Sequence, residues 1–155
     1  MESIANNISS YNIIANFIPG MISIIGMKYF LNFDITHLNN LWVAVLAYFV
    51  SLIINRLGSI VIKMPCNILR CCKQQDYKLF IEAEKKNSKI SILSETSNMY
   101  RSFATIFLIA ICICFYKNIS SRNMLPFLLG FALFLYSYIK QQKYINSLIK
   151  FSKEE

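Results

Sequence analysis

Residues 41–63 read LWVAVLAYFVSLIINRLGSIVIK, and the first 22 of them carry a single charge, Arg56. A bilayer span needs about 20 mainly apolar residues, so this stretch is long enough to cross a membrane as a helix. Working outward, IIANFIPGMISIIGMKYFL at 13–31 is a second such run, and SFATIFLIAICICFY at 102–116 and MLPFLLGFALFLYSYI at 124–139 are two more. The last two, at 15 and 16 residues, are short. They either sit as a tight, thin hairpin or borrow a turn from their flanks, where Arg101, Lys117 and Lys140 can snorkel to the headgroups.

Composition agrees with this reading. Of 155 residues, 55% are hydrophobic and only 15% charged, against about 25% charged in ordinary soluble domains. The 16 Lys and Arg are unevenly placed: eight lie in 63–101 and four in 140–153. Loop 32–40 has none and loop 117–123 has two. Because Lys and Arg are retained on the cytoplasmic side, both short loops are predicted outside and the N-terminus, 63–101 and the tail inside. The expected fold is an all-α membrane protein, four transmembrane helices arranged as two hairpins joined by a cytoplasmic helical segment. Its parts are a first hairpin at 1–62, the cytoplasmic segment at 63–101, a second hairpin at 102–140 and an amphipathic tail at 141–155. MESIANNISS lacks a basic residue before the first apolar run, so no cleaved signal peptide is expected. The richness in Ile, Asn, Lys and Ser is that of an AT-rich genome and points to a bacterial source, so the expected setting is a bacterial inner membrane, multi-pass, with both termini cytoplasmic. The net charge of +8 borders apolar spans instead of forming a basic groove with interleaved aromatics, which argues against direct nucleic-acid binding.

The segment 63–101 is the one sizeable soluble portion. Tyr77, Phe80 and Ile81, resuming at Ile90 and Leu93, recur at helical spacing. Lys85, Lys86, Asn87 and Ser88 interrupt that stripe and mark a bend. With Asp76, Tyr77, Phe80, Lys85 and Lys86 as its most exposed chemistry, the segment is the candidate partner-binding surface. In the tail, Tyr144, Ile145, Leu148 and Ile149 form an apolar face that would lie on the inner leaflet or pack on the central segment.

Within the first span Asn12, Asn16, Gly20, Ser23 and Gly26 recur every three or four residues, and in the second Ser51, Asn55 and Ser59 do so every four, with Gly58 alongside. Each helix thus carries one small, polar stripe. Such a stripe serves helix packing, with interhelical hydrogen bonds of about 1 kcal/mol, or it lines a water-filled path in an oligomer. Pro19, followed by Gly20, removes a helical hydrogen bond and predicts a kink. Arg56 either snorkels to the inner headgroups or pairs with Glu95, and Arg56, Glu95 and Arg101 are together the candidate coupling element.

Catalytic and metal chemistry find little support. The single histidine, His37, falls on the opposite side from Cys66, Cys71 and Cys72, so no metal site can be assembled and no cofactor is expected. Those cysteines, with Cys112 and Cys114 in an apolar span, read as free thiols. No Ser/His/Asp or Cys/His set exists, and four scattered glycines make no phosphate loop, so an enzyme is not expected. A small proton-coupled exporter needs a carboxylate inside the membrane, and none of the four runs has one.

NRLGSIVIK followed by DYKLFIEAEKKNSKISILSETSNMYR resembles a family of small uncharacterised bacterial membrane proteins with an RxGS, DYxxFxxAEK, LSExxNxYR pattern. The corresponding residues run from Arg56, Gly58 and Ser59 through Asp76, Tyr77, Phe80, Ala83, Glu84 and Lys85 to Leu93, Ser94, Glu95, Asn98, Tyr100 and Arg101. The resemblance covers roughly 12–101 and implies a membrane effector or sensor associated with phage defence, with no activity attached. Residues and resemblance together predict an oligomeric inner-membrane effector or sensor that forms a pore or perturbs the bilayer on a cytoplasmic signal. Its partners would be the lipid bilayer, further copies of itself, and a cytoplasmic protein or small molecule. The alternative is a passive scaffold recruiting a soluble partner through 63–101.

Overall fold

The computed structural model describes residues 2–32, 37–69 and 77–154, with side chains for 15–32, 37–69 and 78–152. Among these residues all regular structure is helical: α1 Glu2–Leu31, α2 Asn40–Gly58, a π-helical turn Ser59–Lys63, α3 Met64–Ile68, α4 Tyr77–Lys86, α5 Lys89–Tyr116 and α6 Ser121–Glu154. Among the described residues three continuous helical stretches, Asn40–Ile68, Lys89–Tyr116 and Ser121–Ser152, are long and apolar enough to cross a membrane, and the part of α1 whose side chains are described, Ala15–Leu31, is apolar too. By length and composition these helices are compatible with a membrane protein.

The two runs that looked short are lengthened from their flanks. Residues 102–116 are the second half of α5, which begins at Lys89, and 124–139 lie inside a 34-residue α6 that carries the tail with it. Positions 101 and 140 therefore fall within unbroken helices. The interruption at 85–88 corresponds to the break between α4 and α5, where Asn87 Oδ1 accepts the Lys89 amide at 3.0 Å.

The π-helical turn has a local cause. Pro65 cannot donate a backbone hydrogen bond and its ring crowds the carbonyl four residues back. The ladder widens just before it, with the Met64 amide bonding the Ser59 carbonyl five residues earlier. The α5–α6 turn is set by Asn118 in the left-handed region at φ 51°. Its amide bonds Phe115 O at 3.1 Å and that of Ile119 bonds Cys114 O at 3.0 Å, while Ile119 packs on Cys114. This is the Schellman arrangement with Asn where Gly is commoner.

α5 packs most extensively on α6 and α1 on α2, with α5 also contacting α1 and α2. On α5 the buried Ile90, Ser97, Ala104 and Ile111 are spaced by sevens, as are Met124, Tyr138 and Ile145 with the partly buried Phe131 on α6. A seven-residue repeat keeps one seam in register between two gently supercoiled helices. Phe103, Phe107 and Phe134 fill it, with ring centroids of Phe103 and Phe107 at 4.8 and 5.6 Å from that of Phe134. Beyond, Ala83 of α4, Ile90 of α5 and Ile145 and Ile149 of α6 form a separate core with Leu79, Phe80, Leu93 and Leu148. Ile145, Leu148 and Ile149 of the tail are thus covered by α4 and α5, while Tyr144 is exposed.

α1 and α2 meet at one very close point. A Cβ on Gly20 would lie 1.8 Å from the Ala47 carbonyl oxygen, so only glycine permits this crossing. α1 continues as a helix through Pro19, whose carbonyl accepts the Ser23 hydroxyl at 2.7 Å.

Candidate functional site

The most charged element inside the bundle is Arg101 of α5, 6% exposed. Its Nη2 donates to Asn55 Oδ1 of α2, its side chain hydrogen-bonds Tyr138 of α6, and its Nε has no partner. Three helices therefore share one guanidinium, held by neutral groups. A guanidinium stays protonated in a protein, so this is a buried charge whose environment is built from dipoles. Gly58 makes the approach possible. A Cβ there would sit 2.6 Å from Thr105 Oγ1 and 3.2 Å from Arg101 Cγ. Thr105 in turn donates to the Arg101 carbonyl at 2.9 Å.

Next to this hub lies a polar cavity of about 360 Å³. Ser91, Ser94, Glu95 and Asn98 form its α5 wall at i, i+3, i+4, i+7, a single helix face. Phe80 and Glu84 of α4 close a second side, and Asn16 and Asn55 of α1 and α2 a third. Glu95 Oε2 is shut off from solvent without a hydrogen-bond partner, and the Glu84 carboxylate is near enough to act on it. Asn55 belongs to both places, lining the cavity and accepting from Arg101.

At the opposite end an apolar cavity of about 270 Å³ opens between α1, α2, α5 and α6, beside Gly26 and Phe107. A Cβ on Gly26 would meet nothing within 4 Å.

Of the stripe residues, Asn16 and Asn55 face the polar cavity, Gly20 makes the helix crossing, and Ser23 and Ser59 bond back to Pro19 O and Asn55 O. Ser51 is 1% exposed with an unpartnered hydroxyl. Arg56 is exposed, while Glu95 turns into the cavity beside Glu84, so the structure does not bring these two together as a pair. Phe80 lines the cavity, Lys85 is exposed, and Lys86 donates to Ser152 O of α6 at 2.8 Å. Asp76 and the side chains of Asn12 and Tyr77 lie outside the described residues. Cys66 and Cys114 are buried and Cys112 is exposed. Among the described residues no group of three or more His, Cys, Asp or Glu is placed to hold a metal ion.

Sequence reasoning missed Tyr138 and the pair Gln142–Ser97, in which Nε2 of α6 donates to a fully buried hydroxyl of α5 at 2.8 Å. The usable signal was the seven-residue spacing that Tyr138 shares with Met124, Phe131 and Ile145.

Compared with family models, with curated proteins and with solved structures, the chain gives no match.

Proposed function

We propose that this protein is a membrane-embedded sensor and effector. It works as an oligomer in a bacterial inner membrane and responds to a signal received on the cytoplasmic side by opening a pore or perturbing the bilayer. The observation that carries the reading is Asn55, which borders the polar cavity and holds the buried Arg101. Any occupant that competes for its amide changes the setting of a charge shared by α2, α5 and α6. In this reading α1 joins the other three helices as a fourth span, both termini are cytoplasmic, and the cavity opens at the inner face, where the basic residues of 63–101 anchor the chain. One subunit has too few helices to enclose a channel, so the reading requires a ring of copies or at least a dimer. The resemblance of the RxGS and NxYR segments to defence-associated membrane proteins supports an antiphage setting. In space those two segments meet where Gly58 abuts Arg101.

The test is inducible expression in cells carrying a membrane-potential dye, with particle mass measured in nanodiscs. The expected result is depolarisation by the native chain, its loss in Asn55→Leu, and a mass of several copies. A monomer whose expression leaves the potential untouched overturns the proposal. If Asn16→Leu, Asn55→Leu and Ser59→Leu keep function while charge reversal at Lys85 and Lys86 abolishes it, the protein is a passive scaffold for a partner bound through 63–101.

A further inference from the structure

We infer that the polar cavity beside Arg101 is a binding site for a small organic dication bearing amine or guanidinium groups. For the source and consequence of that ligand the inference rests on the function proposed above. For the binding itself it rests on the cavity.

Three observations lead to it. Among the described residues the lining holds two carboxylates, Glu84 and Glu95, and no Lys, Arg or His. A carboxylate oxygen shut off from water without a hydrogen bond or a counter-charge is unfavourable, and the part-buried Glu95 has its Oε2 in this state. Three cations among the described residues are committed or turned elsewhere. Lys86 bonds the Ser152 carbonyl, Arg101 bonds Asn55 and Tyr138, and Arg56 is exposed. The rest of the wall supplies what N–H donors require: carbonyl and hydroxyl oxygens from Asn16, Asn98 and Ser94, with an aromatic face from Phe80. Carboxylate pairing, amide acceptors and a ring suited to cation–π contact are the combination that selects organic cations over anions and over neutral apolar ligands.

Size and donor set separate this occupant from a metal ion. A divalent cation draws six or more oxygens to within about 2.6 Å of one point, whereas a space of about 360 Å³ with its two carboxylates on different helices takes an extended molecule. One cationic end then sits on Glu95 and Phe80, the other on Glu84. Because Asn55 is part of the same wall, a bound amine reaches the residue that holds Arg101.

The full chain in nanodiscs of phosphatidylcholine, which carries no net charge to attract amines, is titrated with the dications 1,4-diaminobutane, 1,5-diaminopentane and agmatine by calorimetry. Saturable binding of at least one of them is expected. Glu95→Gln is expected to weaken it by about tenfold or more, and Phe80→Leu by about fivefold. The double variant Glu84→Gln/Glu95→Gln should abolish it, while melting in the absence of ligand shows each variant folded. The inference is overturned if the double variant binds as the native chain does, or if MgCl₂ or KCl at equal ionic strength produces the same heat. It is overturned equally if none of the three amines saturates below about 10 mM, including the case in which only a lysine-bearing peptide binds and the occupant is a protein side chain. Amine binding without any effect on membrane potential keeps the ligand site and removes the proposed function. Depolarisation without amine binding does the reverse.

Discussion

Replacing Gly20 by alanine tests the α1–α2 crossing with a single methyl group. The added carbon would stand 1.8 Å from the Ala47 carbonyl oxygen and 2.6 Å from its carbonyl carbon. A relaxed carbon–oxygen contact is about 3.4 Å, so the helices must separate by about 1.5 Å. The obstacle is backbone and cannot rotate away. Overpacking costs about 1–3 kcal/mol, and the upper end applies here. The gain in helix propensity from Gly to Ala returns about 1 kcal/mol, leaving a net loss of about 2 kcal/mol. For a chain of this size that corresponds to a fall in Tm of about 4–8 °C. Gly26, six residues along the same helix, is the matched control: a Cβ there meets nothing, so Gly26→Ala keeps the propensity gain and should raise Tm by about 2–4 °C. Thermal melting of both variants in nanodiscs reads the two shifts in opposite directions. If Gly20→Ala melts at or above the native protein, the close crossing is wrong and the stripe on α1 has some other role.

Two further outcomes follow from the geometry. Asn55→Leu and Arg101→Met, measured singly and together by thermal melting, should show a coupling of about 1 kcal/mol or more between α2 and α5, whereas additivity to within about 0.5 kcal/mol would mean that the contact contributes nothing. Asn118→Ala should lower Tm by about 2–4 °C, because alanine in the left-handed region costs roughly 1 kcal/mol more than asparagine, while Asn118→Gly should leave it unchanged; equal values for the two substitutions would show that the turn does not depend on that backbone conformation.

How far the sequence revealed this molecule depended on the kind of signal. An apolar run is visible without knowing its neighbours, so 41–62, 102–116 and 124–139 could be read directly as membrane-compatible helices. The full lengths of α5 and α6 were harder to see. Their continuation beyond the apolar runs is held by Ile90 against Ile145 and Ile149, with Gln142 on Ser97, and two of those five residues are polar while the others stand among charged and polar neighbours. The candidate site was legible only in fragments. Asn16, Asn55, Phe80 and Glu95 each stood out, but the cavity they share takes its walls from four helices spread over 84 positions, residues 15–98. Arg56 attracted attention because it interrupts an apolar run, and Arg101 less because it sits at the edge of one. Burial reverses that order, since Arg56 points outward from α2 whereas Arg101 lies on the face of α5 that meets both α2 and α6.

The unbroken length of α6 has a mechanical consequence. At about 1.5 Å per residue its 34 residues extend about 51 Å, against about 30 Å of hydrocarbon in a bilayer. In the proposed membrane setting some 20 Å of stiff rod stands beyond the lipid boundary, fastened to α4 through Lys86 and to α5 through Gln142. A tilt of about 10° at that boundary displaces the tip by about 3–4 Å, and the same rotation is delivered to every residue within the bilayer. Displacement outside the membrane and rearrangement inside it are, for this helix, one movement of a single lever, with Tyr138 riding near its fulcrum.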